Sequence, residues 1–350
     1  MKLLYFTLIL SIATIFFVVR QKSADQRNSV QALLDSYKDS LQDYGIVALV
    51  DDGKKTDTGS VGFSYNKTPI NTKNRFCIGS CTKMYTATLI LKLQEQGILN
   101  IDDSIYHYVS QHRNVDSTIT IRQLLKHTSG VTDFSKNDFI NKPLVDPLGD
   151  YSDSLIFSLL DTVDFEKGYR HKYSNTNYFL LRKIIETTTG KPYETVLQEN
   201  IIKPLGLKNT FAYYSNNIAL LAHPIIDGQD LQDISKVGTN TISKGIGNIV
   251  SDVYDVNKFI RALLIDKTVL QPATLALMTD CRQFKKDKVG LGLFEENYGG
   301  RAVYGHPGRQ VSYISYAFVD AKTGHSFVIL TNNANDGYAE KIIVQLCGGK

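Results

Sequence analysis

Apolar and polar positions divide the chain into stretches of different period. Val30, Leu33, Leu34, Tyr37 and Leu41 recur at helical spacing, which predicts an amphipathic helix ending near Gly45. Residues 46–50 and 59–65 predict two strands joined by a polar turn over 51–55. From about 80 to 270 the pattern is mainly helical. One helix covers roughly 80–96 and stops at Gly97; another runs from Asn175 through Tyr178, Leu181, Ile184 and Ile185 to Gly190. A third starts with Ser251 as N-cap and carries Val253, Val256, Phe259, Ile260 and Leu263. Strand signals return over 312–319 and 325–331, and a last helix has Ala339, Ile342, Ile343 and Leu346 on one face.

Strands at both ends with helices between them predict an α/β (α+β) fold. Segments from the two chain ends would pair in one antiparallel sheet flanked by helices, and the middle would form an all-helical lobe. The expected domain spans 28–347, with a sheet lobe at about 28–79 and 280–347 and a helical lobe at about 80–279. A cleft between these lobes would have Ser80 at its junction.

The first 24 residues form a separate unit. Residues 3–19 are largely apolar and uncharged, which predicts a signal anchor or signal peptide, a membrane partner, and a catalytic domain outside the cytoplasm. The flanking charge points the other way, because Arg20, Lys22 and Arg27 outnumber Lys2.

Composition narrows the chemistry. At 350 residues, 43% hydrophobic and 21% charged, the chain has the make-up of a globular enzyme. The net charge of +4 is spread out and no Lys/Arg block suggests a nucleic-acid surface. The histidines form no His-Glu-x-x-His run and the cysteines no Cys-x-x-Cys, so neither metal nor cofactor is expected. Cys77 and Cys81 read as small buried residues, whereas Cys281 and Cys347 could form a disulfide in an exported protein.

The candidate chemistry starts at Ser80-Cys81-Thr82-Lys83, which opens an almost wholly apolar helix. Residues three apart share a helix face, so the Lys83 amine can lie beside the Ser80 hydroxyl. Burial lowers a lysine pKa and lets it act as the base that a serine nucleophile needs. A second Ser-x-x-Lys, Ser64 to Lys67, lies on a predicted strand, where the two side chains point to opposite faces and read as surface residues.

Tyr173-Ser174-Asn175 opens directly onto a predicted helix and is preferred to Tyr214-Ser215-Asn216 in a loop. Tyr173, near cations, would lose its proton more readily and act as base or proton shuttle, and Asn175 would orient a substrate amide. Lys322-Thr323-Gly324 falls where a hairpin turn is needed, so the better third element is His306-Pro307-Gly308-Arg309. There Pro307 marks a sheet edge, His306 would supply a donor or positive charge, and Gly308 would permit close approach. Arg309 could bind a substrate carboxylate.

In this order, Ser80-x-x-Lys83, Tyr173-x-Asn175 and His306-x-Gly308 resemble the serine β-lactamase and penicillin-binding-protein superfamily. The closest likeness is to its class C β-lactamases, D-alanyl-D-alanine carboxypeptidases and related esterases. The segments 121–130 and 245–251 add to the likeness, which covers roughly 30–345. The resemblance implies an acyl-serine mechanism at Ser80, with Lys83 and Tyr173 sharing acid–base duty and Asn175 orienting the substrate. It further implies that His306 replaces the lysine of a Lys-Thr-Gly element and that the backbone N–H groups of Ser80 and Arg309 form the oxyanion hole. The expected activity is hydrolysis of a D-amino-acid peptide or small ester, the alternatives being a β-lactamase and a sensor that acylates without turnover.

Overall fold

The computed structural model describes residues 29–135, 146, 149, 151–161, 163–212, 219–232, 242–284, 287–334 and 337–348. The apolar leader and the second Tyr-x-Asn copy, Tyr214 and Asn216, lie outside the described residues. Among the described residues, no helix is long and apolar enough to cross a membrane.

Both chain ends enter one antiparallel sheet. Its strands are β1 (Gly45–Asp51), β2 (Thr56–Tyr65), β3 (Thr68–Pro69), β4 (Arg282–Phe284), β5 (Asp287–Val289), β6 (Phe294–Tyr298), β7 (Arg301–Gln310), β8 (Tyr313–Asp320) and β9 (His325–Thr331). Their spatial order is β3-β2-β1-β9-β8-β7-β6-β5-β4. The N- and C-terminal parts join where β1 pairs with β9, from Ile46 opposite Thr331 to Asp51 opposite Ser326.

The near-continuous apolar run of β1 is explained by burial on both faces. Ile46 and Ala48 join the core under the terminal helices α1 (Val30–Asp35) and, at the far end, Tyr338–Gly348. Val47 and Leu49 join the larger core on the other face. That core is filled by α2 (Thr82–Glu95), α3 (Asn175–Thr189) and α4 (Val253–Leu264), with Tyr85 of α2 stacked on Phe259 of α4 at 3.6 Å. The helix α2 is buried nearly all round, which accounts for its lack of a polar face.

Local departures have local causes. The first helix ends at Asp35 rather than near Gly45, because the Ser36 hydroxyl bonds the Leu33 carbonyl and a 3-10 turn, Lys38–Ser40, follows. Asp252, not Ser251, caps α4 by accepting the Asp255 N–H at 2.8 Å; Ser251 ends the short strand Ile249–Ser251. That strand pairs with Phe76–Cys77 and Phe211–Ala212, so a small sheet sits among the helices of the intervening lobe.

The Cys281–Cys347 pairing does not form. All four cysteines are free; Cys281 packs against the larger core and Cys347 is buried in the core on the opposite sheet face. Ser64 is buried rather than on the surface, while Lys67, in the turn between β2 and β3, is exposed and pairs with Asp43. Lys322 and Thr323 are exposed in the turn between β8 and β9, and Thr323 Oγ1 donates to Asp320 at 2.7 Å.

Candidate active site

The turn that carries Ser80 is built by close backbone approach. Gly79 has φ of +51°, and a Cβ there would lie 2.7 Å from the backbone of Arg309. Glycine is therefore required for both conformation and space. Ser80 follows in the 3-10 turn Gly79–Cys81, which leads straight into α2. On the opposite wall, Gly308 has no room for a Cβ, which would lie 2.2 Å from both the Ile78 carbonyl and Ser315 Oγ. Gly308 thus seats β7 against the Ser80 turn. Cys81 reinforces that seat by donating its thiol to the His306 carbonyl at 2.9 Å, and burial pushes its pKa up to about 12. Cys77 donates likewise to the Gly247 carbonyl, so both cysteines hold backbone as well as fill space.

Lys83 is fully buried. Its Nζ lies 3.0 Å from Ser80 Oγ, 3.0 Å from Asn175 Oδ1 and 3.1 Å from the Ile246 carbonyl. Desolvation lowers its pKa from 10.5 to about 7, opposed in part by the negative charge of Asp133. In the neutral amine only two N–H bonds remain. Asn175 Oδ1 and the Ile246 carbonyl can only accept, so they take both, and the lone pair is left facing the Ser80 hydroxyl.

Tyr173 OH donates to Ser80 Oγ at 2.9 Å. The expected ease of deprotonation is not found: burial pushes its pKa up, outweighing the bond to Ser80, so the group is a phenol at neutral pH. Its ring stacks on His127 with centroids 4.4 Å apart. His127 Nδ1 accepts the Ser174 N–H at 3.2 Å, and burial holds the imidazole well below its ordinary pKa. Asn175, at the start of α3, is fixed from the other side by donating Nδ2 to Ser135 Oγ at 3.1 Å.

His306 lies within β7 and borders a free edge. The β6 pairing stops at Phe294 opposite Gly305, so from His306 to Gln310 the strand pairs only with β8. The expected positive charge is corrected. Burial lowers the His306 pKa to about 3, with the Lys83 charge adding to the effect. Its Nδ1 contacts the Pro307 carbonyl and therefore carries the proton, which leaves Nε2 as a bare acceptor without a partner. Arg309 is exposed at the lip of the cleft.

A cleft of about 490 Å³ opens over Ser80, Tyr173, His306, Gly308 and Arg309. Its remaining walls, including His171, Asp287, Phe294 and Glu296, were not singled out from sequence. They come from segments far apart in the chain, and no spacing marks them. His127 falls in the segment 121–130 that carries part of the family likeness, but only the fold places it under Tyr173.

A family model described as Beta-lactamase matches residues 30–345. The putative penicillin-binding protein PbpX of Bacillus subtilis is 28% identical over 341 residues, covering 93% of this chain and 81% of that protein. Protein flp of Staphylococcus aureus is 26% identical over 302 residues, 81% of this chain; the match spans only 59% of flp. Among solved structures, a D-stereospecific amidohydrolase from Streptomyces superposes with a TM-score of 0.80 at 28% identity, covering 93% of this chain and 99% of that one.

Proposed function

The chain belongs to the Beta-lactamase family, a family of serine hydrolases, and we propose that it cleaves amide or ester bonds of D-amino-acid compounds through an acyl-Ser80 intermediate. The observation that carries this reading is the pair of contacts on Ser80 Oγ, from Lys83 Nζ at 3.0 Å and Tyr173 OH at 2.9 Å. The D-stereospecific activity named for the Streptomyces structure supports the choice of substrate.

In the proposed reaction Ser80 Oγ attacks the carbonyl carbon while its proton passes to the lone pair of neutral Lys83. The backbone N–H groups of Ser80 and Arg309, brought together by Gly79, stabilise the oxyanion. As the bond to the leaving group breaks, the Tyr173 phenol gives it a proton, and the Lys83 ammonium, 5.1 Å from the Tyr173 ring centroid, returns a proton to the phenolate. Water then attacks the acyl carbon, giving its proton back along the same groups, and Ser80 leaves as the alcohol.

The test is turnover of D- and L-phenylalanine p-nitroanilide by wild type and by Ser80→Ala. The reading expects preference for the D form and loss of turnover in Ser80→Ala. Undiminished turnover in that variant contradicts it.

A further inference from the structure

One wall of the cleft beside Ser80 is lined by acceptors. His306, only 2% exposed, lines it and has an unpartnered, buried Nε2. His171, whose side chain is 6% exposed, also has an unpartnered Nε2, because its Nδ1 faces Asp287 Oδ2 at 3.2 Å. With Nδ1–H directed at a carboxylate, the neutral ring offers a lone pair at Nε2. Unpartnered buried polar atoms are costly unless a ligand supplies the missing partner. Both rings flank Phe294, with centroids 6.1 Å and 4.9 Å from it.

Two residues along β6 from Phe294, and so on the same strand face, stands Glu296. It lines the cleft half-buried and forms no ion pair among the described residues. Burial and the nearby Asp287 raise its pKa, the signature of a carboxylate that lacks a counter-charge. The cation at the cleft, Arg309, is exposed on β7 beside the Gly79 turn.

We propose that the wall formed by Glu296, His171 and His306 is a subsite for a protonated amine on the substrate, and that Glu296 sets this preference. An ammonium brings only donors and a positive charge, which is what two bare imidazole nitrogens and an uncompensated carboxylate lack. A substrate carboxylate would meet three acceptors there. The inference rests on the acyl-Ser80 reading and narrows it to substrates that keep a free amino group, such as D-amino-acid amides or the N-terminal residue of a peptide.

The test compares D-alanine p-nitroanilide with its N-acetyl derivative, on the same preparations of wild type and Glu296→Gln, with intact mass to follow acyl-Ser80. Wild type is expected to favour the free amine by about tenfold or more in kcat/KM, the scale of one charge-assisted hydrogen bond. In Glu296→Gln that ratio should fall about tenfold, chiefly through a higher KM for the amine substrate. Because the ratio is internal to each preparation, partial misfolding does not imitate the effect. Equal or better use of the N-acetyl substrate by wild type, or an unchanged ratio in Glu296→Gln, overturns the subsite alone. Absence of both turnover and Ser80 adduct with either compound overturns the hydrolase reading and the subsite with it.

Discussion

Asn175 Oδ1 accepts from Lys83 Nζ at 3.0 Å, and this contact does more than hold the lysine in place. By taking one of the two N–H bonds of the neutral amine, it helps to aim the lone pair at Ser80. An amide does so without adding charge. Asn175→Asp would put a carboxylate beside Nζ, stabilise the ammonium and raise the Lys83 pKa from its value of about 7. The acid limb of kcat/KM should then move up by about one unit or more, with turnover at pH 7 falling accordingly. A pH–rate profile of the variant checks this, and an unmoved limb counts against Lys83 as the base.

Tyr173→Phe removes the donor 2.9 Å from Ser80 Oγ but keeps the ring that stacks on His127. Turnover is expected to drop roughly a hundredfold or more, the usual scale for a lost proton donor, with little change in Tm. Since burial keeps Tyr173 a phenol, its ionisation should not appear in the wild-type profile between pH 6 and about 10. Stopped-time assays across that range, run with matched thermal melts, separate the two effects.

What the sequence made legible is what local spacing encodes. Ser80 and Lys83 meet because residues three apart share a helix face, and Tyr173 and Asn175 are fixed by the helix that follows them. Strands β1 and β9 were readable because runs buried on both faces are apolar throughout. Protonation states were not legible. Tyr173 and His306 change their chemistry through burial, which depends on segments distant in sequence. Asp287 and Glu296 reach the cleft only when β5 and β6 pair beside β7, which also sets Asp287 against His171.

Gly308→Ala places a methyl group 2.2 Å from the Ile78 carbonyl and Ser315 Oγ. Forcing β7 away from the Ser80 turn should abolish most turnover and destabilise the protein by about 1–3 kcal/mol. Lys322→Ala, in the exposed turn, should leave both unchanged. Thermal melts and steady-state rates on the pair test whether the third element is the one on β7. A silent Gly308→Ala, or a crippled Lys322→Ala, reverses that assignment.

His306 also links stability to pH. Its pKa falls from 6.5 to about 3 on folding, so between those values the unfolded chain binds more protons than the folded one. Stability therefore falls as pH drops from about 6.5 towards 3. His306→Asn, which cannot take up a proton, should show a shallower decline of Tm over that window. Identical slopes for the two proteins would show that the buried imidazole is not a source of the acid sensitivity.

The central claim is that a neutral Lys83, one helical turn from Ser80, makes the hydroxyl reactive. Its most direct measurement is the rate of Ser80 acylation by a fluorescent penicillin or an activated D-amino-acid ester, followed by intact mass from pH 5 to 9. The account predicts a rate that rises with pH to half its limit near 7, where the Lys83 proton is lost, and no adduct in Ser80→Ala or Lys83→Ala. A rate that is flat across the range, or an adduct that persists without Lys83, would contradict it.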